Sequence, residues 1–492
     1  MNSFIRPRVL GALATVLLLC VVRHSFAAEA QRPPNIVIVL LDNVGQEWFG
    51  CYGSEENCTP NIDRLAATGV RMEHCYTPPV CGPSRIVLLT GRYPHRTGFR
   101  LHHDAALYSG GGLDPRREVL FPRLFRDAGY ATAIAGKWQV NNLYDEPGVL
   151  AQHGFTEHLV WPGSLDPDLV SPPERERFRD AIRRESVEET AEFIQRIESR
   201  YWDPVFLRNG KREVPRGRFG PDVAQAFAFD FLRRHQQRPF LLYLPMVLTH
   251  GQTFSRPVVP TPLHRTAGRP EKQMFADMLR YADKLVGDLV AELERLGLRD
   301  DTILFVASDN GTESRFQARR NGRTVQGALY SLTEPGGNVV LLANSPKRIP
   351  GGRTLPLADF SDIYPTVCEL AGVPLSPAHR PDGRSFARFL LGKPGAVPPR
   401  DWILNEYHET RVVRNERYKL YSDGRFFDVS TDHEERVDLA DSREPGASAA
   451  RRRLQQALAG LPADGPPPFL LLSQSGFKLR GEARAKRAGA AK

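Results

Sequence analysis

A cysteine that opens a helix beside an arginine is the feature of this chain with the clearest chemical potential. Cys81-Gly82-Pro83-Ser84-Arg85 leads into the apolar run Ile86–Leu89, which stops at Gly91. A helix N-terminus and a nearby guanidinium both place positive potential at the sulfur, which favours an anionic form. Two further pairs, Asp42-Asn43 and Asp309-Asn310, consist of oxygen donors. Carboxylate and amide oxygens together suit a hard cation such as Ca²⁺ or Mg²⁺. A single Asp-Asn pair also serves as a turn or helix cap, so the residue types alone leave both uses open.

The elements that must position these residues are short apolar runs. Ile36–Leu41 ends at Asp42-Asn43, and Ala131–Ala135 runs into Gly136-Lys137. Phe240–Pro245 precedes Thr249-His250, and Thr302–Ala307 ends at Asp309-Asn310-Gly311. Between them lie helical patterns. Thr59 with Pro60 starts one that ends at Gly69, and Phe275, Met278, Leu279, Ala282, Leu285, Val286, Leu289 and Leu293 share the face of another, stopped by Gly297. Alternating apolar strands and amphipathic helices predict an α/β fold: a large, mostly parallel sheet flanked by helices. Ligands of such sheets bind beyond the carboxyl ends of the strands, where all four polar clusters fall.

The Gly- and Pro-rich stretch 391–400 reads as a linker. Val412–Val413, Tyr418–Tyr421 and Arg425–Val429 read as strands and Ala449–Leu461 as a helix, which predicts a smaller C-terminal α+β domain with an antiparallel sheet. The expected division is a signal peptide at 1–28, a catalytic domain at 31–395, the α+β subdomain at 400–475 and a disordered basic tail at 476–492. Residues 160–220 read as an insertion at the rim of the main domain.

Cys-x-Pro-Ser-Arg, continued by Thr90-Gly91-Arg92-Tyr93-Pro94-His95-Arg96, resembles the signature of the sulfatase family, and most closely its bacterial arylsulfatase A-type members within the alkaline-phosphatase-like superfamily. The similarity extends over Asn35–Gly98, Gly129–Gln139, Pro245–Gly251 and Phe275–Thr312, and resumes at Arg417–Leu420. The resemblance implies a sulfuric ester hydrolase in which Cys81 is oxidised to formylglycine by a formylglycine-generating enzyme. It makes Asp42, Asn43, Asp309 and Asn310 the ligands of Ca²⁺, with Mg²⁺ as the alternative. Arg85 assists at the sulfate, Lys137 lies near the formylglycine and bridging oxygen, and His250 protonates the leaving alcohol. The implied substrate is a sulfated small molecule or polysaccharide carrying an organic sulfate ester, on carbohydrate or an aryl group. Alternatives are a phosphate or phosphonate ester hydrolase of the same superfamily and a catalytically weak relative that binds sulfated ligands.

Three positions depart from the family pattern. Asn43 stands where Asp is common, which lowers the ligand charge from about −3 to about −2 and weakens metal affinity. Gln139 replaces a histidine after Gly136-Lys137-Trp138, and Leu329 replaces a sulfate-binding lysine. Losing one such oxyanion-stabilising group costs on the order of 3–4 kcal/mol. Arg315, Arg319, Arg320 and Arg323 crowd the same loop and are read either as substitutes or as a solvated basic loop.

The composition, 41% hydrophobic and 25% charged over 492 residues, is that of a globular protein with room for a large core. The net charge of +9 sits mostly at the two ends, leaving a nearly neutral body. That distribution argues against a nucleic-acid partner. Arg6 and Arg8 before the apolar run Val9–Val22, followed by Ser25, Ala27 and Ala28, read as a secretory signal too short for a comfortable membrane span. The expected location is periplasmic or secreted, with no stable membrane insertion after cleavage. In that oxidising setting, Cys51, Cys58, Cys75 and Cys368 allow one or two disulfides. Substrate specificity is expected in loops 100–115 and 160–220, where His102, His103 and Asp104 either face the substrate or are solvated.

Overall fold

The computed structural model describes residues 32–101, 112–163, 171–184, 186, 189, 200–251, 258–265 and 268–465. The signal segment 1–28, His102, His103, Asp104 and the tail 476–492 lie outside these residues.

The strands, in chain order, are β1 (Asn35–Leu41), β2 (Val70–Tyr76), β3 (Ala131–Lys137), β4 (Glu157–Trp161), β5 (Phe206–Arg208), β6 (Lys211–Glu213), β7 (Phe240–Pro245) and β8 (Thr302–Ser308). They continue as β9 (Gln317–Arg320), β10 (Arg323–Gln326), β11 (Leu341–Asn344), β12 (Arg353–Asp359), β13 (Ile403–Tyr407), β14 (Thr410–Arg414), β15 (Tyr418–Tyr421) and β16 (Phe426–Asp428). Ten of them form one sheet in the order β12-β2-β11-β8-β1-β7-β3-β4-β5-β6. Its centre, β8-β1-β7-β3-β4, is parallel throughout. Antiparallel pairs flank that centre at β11 on one side and at β5 and β6 on the other.

Strand β1 shows why a continuous apolar run is needed. Ile36, Ile38 and Leu40 enter one core layer, while Val37, Val39 and Leu41 enter the other. Both faces of the sheet are covered, so no position on β1 tolerates a polar side chain facing water. One layer contains the helices Cys81–Thr90, Phe121–Asp127 and Ile363–Ala371; the other contains Pro60–Ala67, Gly220–Arg234 and Glu271–Arg295. All eight apolar residues expected on one face of the last helix are buried.

A separate four-stranded antiparallel sheet, β13-β14-β15-β16, lies near the C-terminus and packs against the helix Pro445–Ala459 through Leu420, Phe426 and Leu454. The seam with the main sheet combines apolar contacts of Tyr76 and Leu357 with Ile403, Val412 and Phe427 and a set of polar pairs. His95 Nδ1 lies 2.7 Å from Glu406 Oε2, and Glu334 pairs with Arg414 (2.5 Å) and Lys419 (3.3 Å). The block Thr90–Arg96 therefore works largely as an anchor: Arg92 binds Glu118 at 2.9 Å, His95 binds β13, and Arg96 pairs with Asp382.

The expected rim insertion is only partly peripheral. Its later residues supply β5 and β6, which extend the main sheet. The disulfides allowed by the sequence do not form among the described residues: Cys51, Cys58, Cys75, Cys81 and Cys368 are all free thiols. Among these residues no helix is long and apolar enough to cross a membrane.

His153 gives the fold a pH dependence. It is 1% exposed and its Nε2–H donates to the Leu113 carbonyl at 3.1 Å. Burial, opposed in part by that carbonyl, pushes its pKa down to about 4. The unfolded chain therefore takes up the proton first. His153's contribution is full above pH ~6.5 and is lost as pH falls toward 4, a difference of about 3 kcal/mol. His153→Gln should flatten the pH dependence of urea unfolding between these values, and an unaltered slope would refute the assignment.

Candidate active site

The site follows from strand register. Leu41 pairs with Ser308 at the carboxyl ends of β1 and β8, so the residues that come next, Asp42 and Asp309, emerge side by side. Asp309 N donates to Leu41 O at 2.9 Å, and Asn43 N donates to Asp309 Oδ1 at 3.2 Å. Asn43 takes a left-handed backbone (φ 59°), which asparagine tolerates better than most residues. Asn310 Nδ2 donates to Asn43 Oδ1 at 2.7 Å, joining the two pairs.

The chain beyond β7 continues along β1. Met246 N donates to Leu40 O, Asp42 N to Leu248 O and Thr249 N to Asp42 O. This ladder delivers His250 to Asp42. On the other side of β7, β3 ends at Lys137. Gly136 there has φ 128° and lies so close to β7 that a Cβ would stand 2.1 Å from Pro245 O. Only glycine lets Lys137 reach inward at this point.

The helix Cys81–Thr90 supplies the remaining groups and ends at Gly91 in the left-handed region. Arg85, four residues after Cys81, places Nη2 at 2.7 Å from Asp309 Oδ2 and 3.2 Å from Asp42 Oδ2. Its Nη1 donates to Lys137 O at 2.8 Å, and Lys137 Nζ lies 2.6 Å from Asp42 Oδ2. One ligand atom from each of Asp42, Cys81 and His250 falls within 4.8 Å of the others. All eight residues singled out in the sequence thus converge at the carboxyl end of the parallel strands.

Burial alone would raise the Asp42 carboxyl, but Lys137, His250 and Arg85 outweigh it and hold it below its ordinary value. Asp309 moves the other way, raised by burial and by the neighbouring Asp42 charge against the pull of Arg85. The expectation of an anionic Cys81 is overturned. Burial dominates and raises the thiol, and Asp42 and Asp309 raise it further, against Lys137 and Arg85. An unmodified thiol here is a poor nucleophile at neutral pH. His250 is held well below its ordinary value by burial and by Lys137, with Asp42 opposing and Arg200 adding to the effect. Its Nδ1 lies 2.7 Å from Gly251 O, which places the ring hydrogen on Nδ1 and leaves Nε2 as the basic atom.

The donor set fits a hard cation. Asp42 Oδ1 and Asn310 Oδ1 are buried acceptors without a hydrogen-bond partner, one from each strand end. Buried oxygens in this state are costly unless a cation or donor meets them.

The substituted positions are equally visible. Gln139 has φ 61° and a buried Oε1 without a partner. Leu329 is partly buried, its N–H donating to Thr312 O. The four loop arginines are paired away from the strand ends or exposed. Arg315 pairs with Glu313 at 3.0 Å, Arg319 with Glu55 at 3.0 Å, and Arg320 Nε donates to Tyr52 O at 2.8 Å. Arg323 is exposed on β10.

Two groups at this end of the sheet had no signal in the sequence. Tyr407 closes β13 with its ring 6.4 Å from that of Tyr330, and its phenol is pushed up by burial and by Cys81. Arg200 packs its guanidinium 4.1 Å over the Trp161 ring, with Nη1 3.4 Å from His250 Nδ1.

The Sulfatase family model matches residues 34–373. N-acetylgalactosamine-6-sulfatase of Canis lupus familiaris is 32% identical over 380 residues, which cover 74% of this chain and 67% of that protein. Arylsulfatase A of Homo sapiens is 31% identical over 424 residues, 79% of this chain and 75% of that one. The crystal structure of Ps i-CgsB shares the fold, with a TM-score of 0.72 at 24% identity over 92% of this chain and 98% of its own. Sequence and architecture agree across most of the chain, and this protein is a member of the sulfatase family of enzymes.

Proposed function

We propose that the protein hydrolyses an organic sulfate ester, on a carbohydrate or an aryl group, with formylglycine derived from Cys81 as nucleophile and Ca²⁺ bound by Asp42, Asn43, Asp309 and Asn310. Relatives named for N-acetylgalactosamine 6-sulfate and for aryl sulfates support that substrate range. The observation that carries the reading is the bridge made by Arg85. From the turn of helix that begins at Cys81, it reaches carboxylates on two strand ends at once.

Formylglycine, as its hydrate, supplies a nucleophilic oxygen and a second hydroxyl through which sulfate is released; neither a thiol nor a serine offers both. Ca²⁺ supplies Lewis-acid stabilisation of the sulfate oxygens. The chain's own groups do the rest. Arg85 fixes the two carboxylates and presents positive charge to the sulfate. Lys137, held on Asp42, lies beside the reacting atoms. His250 begins neutral, and an anionic sulfate offsets the cations that suppress its charge. Its Nε2 thereby gains a proton on substrate binding and passes it to the leaving alcohol. The Arg-led apolar segment within 1–28 supports export, placing the enzyme in the periplasm or outside the cell.

Mass spectrometry of the Cys81 peptide tests the nucleophile, because conversion to formylglycine removes sulfur. A panel of sulfate, phosphate and phosphonate esters tests the ester class, and a preference for phosphorus would overturn it. A chelator should abolish turnover and Ca²⁺ should restore it. Asn43→Asp adds a ligand charge at a backbone position that aspartate also tolerates, and should bind Ca²⁺ more tightly in a direct titration. Unaltered or weaker binding would count against Asn43 as a ligand.

A further inference from the structure

Two different sets of ligand atoms meet at the strand ends. Asp42, Asn43, Asp309 and Asn310 offer oxygen alone, which suits a hard cation. The cluster of Asp42, Cys81 and His250 offers oxygen, sulfur and nitrogen together. A thiolate beside an imidazole selects a softer metal, and with one carboxylate added the set is that of a zinc site with an open fourth position. One ligand atom from each of the three residues lies within 4.8 Å of the others. Around a tetrahedral Zn²⁺ with bonds of about 2.0–2.3 Å such atoms stand roughly 3.3–3.8 Å apart, so side-chain shifts of about an ångström close the cluster on the ion.

Each group is ready to coordinate. His250 Nδ1 lies 2.7 Å from Gly251 O, the kind of outer contact that fixes the tautomer of a metal-bound imidazole and leaves the lone pair on Nε2. Asp42 Oδ2 faces Lys137 Nζ at 2.6 Å and Arg85 Nη2 at 3.2 Å, whereas Oδ1 is buried without a hydrogen-bond partner. Cys81 is a free thiol. With the sulfur ionised, Asp42, Asp309 and Cys81 outnumber Arg85 and Lys137, and the excess negative charge favours a divalent ion. Asp42 is fully buried and Cys81 is 3% exposed, but His250 is half-buried and gives a small ion its way in.

We propose that the protein in its thiol form binds one Zn²⁺ through the Cys81 thiolate, the His250 imidazole and the Asp42 carboxylate, with water in the fourth position. The Zn–S bond forms as the S–H bond breaks, and the proton leaves to solvent. An oxygen nucleophile at position 81 removes the one soft ligand, so the chemistry of that side chain decides which metal the pocket selects. The zinc site needs only the thiol: it stands if Cys81 is never oxidised, and the sulfate-ester reading stands if no zinc binds.

The test uses the full-length protein with Cys81 shown by mass to be a thiol. Co²⁺, as a coloured stand-in for Zn²⁺, should give thiolate-to-metal charge-transfer absorption that saturates at one equivalent and is displaced by Zn²⁺. Cys81→Ala should abolish this absorption and weaken Zn²⁺ binding, measured against a competing chelator, by at least about a hundredfold, beyond the ten- to hundredfold typical of losing an orienting group. His250→Gln should weaken Zn²⁺ binding at least about tenfold while keeping the charge-transfer absorption at saturation. Cys51→Ser, at the half-buried thiol outside the cluster, should alter neither. A parent protein without the absorption would overturn the proposal. So would Zn²⁺ affinity within threefold of the parent in folded Cys81→Ala or His250→Gln, or absorption that disappears with Cys51. If Cys81→Ala does not fold, His250→Gln and Cys51→Ser still decide the matter.

Discussion

Replacing Cys81 with alanine should abolish turnover of an aryl sulfate, a fall of at least about 10⁴-fold, while leaving the fold intact. The side chain is small, and the helix it opens is held independently by the Arg85 bridge and by Ser84 Oγ, which lies 2.7 Å from Pro78 O and 2.8 Å from Val80 O. Truncation to alanine removes one sulfur atom from a polar cluster and no core contact of consequence. Urea unfolding should therefore give a midpoint close to the parent, with product formation at background. A variant that retains more than a few per cent of parental activity would exclude Cys81 as precursor of the nucleophile. Cys81→Ser separates the two requirements further. It restores an oxygen at the position but not the second hydroxyl, so at most a single turnover is expected, read as a burst with no steady state.

Removing Arg85 should have the largest effect on stability. Arg85, Asp42 and Asp309 are all 0% exposed, so Arg85→Met leaves two carboxylates facing each other without the guanidinium between them. Breaking a buried pair in this way costs about 3–5 kcal/mol, because the abandoned charges stay desolvated. The loss should appear as a lower urea midpoint in chelator and should shrink when Ca²⁺ is added, since a cation at the neighbouring oxygens offsets the same carboxylate charge. It should also shrink as pH falls through the folded-state values of the two carboxyls, that of Asp309 standing at about 6 even with the guanidinium in place. Without their partner, the carboxyls of the folded state have raised pKa values, so the unfolded chain holds fewer protons and acid favours the fold. A deficit that deepens on acidification would contradict the assignment. Arg85→Lys should fall between, because an ammonium cannot span both carboxylates and the Lys137 carbonyl with planar geometry.

What the sequence reveals about this site depends on the range of the interaction. Ile36–Leu41 and Ile303–Ala307 are readable because a strand buried on both faces is apolar along its length. That Leu41 pairs with Ser308 is not readable, since register between strands so far apart is set by the whole sheet. The pairs Asp42-Asn43 and Asp309-Asn310 were still placed correctly at strand ends, because their position depends only on where each apolar run stops. The ionisation of Cys81 is not legible for the opposite reason. The helix terminus and Arg85 are local and visible, whereas burial and the carboxylates of Asp42 and Asp309 arrive through tertiary packing. Arg200 carries no motif and lies 50 residues from His250, so nothing short of the folded chain brings it to notice. The antiparallel pairs at β5 and β6 are not legible either, because these strands are three residues each, too short to show a period.

Cys81 is 3% exposed, beneath a lattice of charges drawn from residues 42, 137 and 309. Little of this side chain is open to a second enzyme in the finished protein. Were Cys81 the formylglycine precursor proposed above, its oxidation would fall on the growing or still-extended polypeptide, before β8 docks beside β1 and shuts the sulfur in. The order of events would then be irreversible: molecules that folded first would keep the thiol, and the active fraction of a preparation would record how fast maturation outran folding.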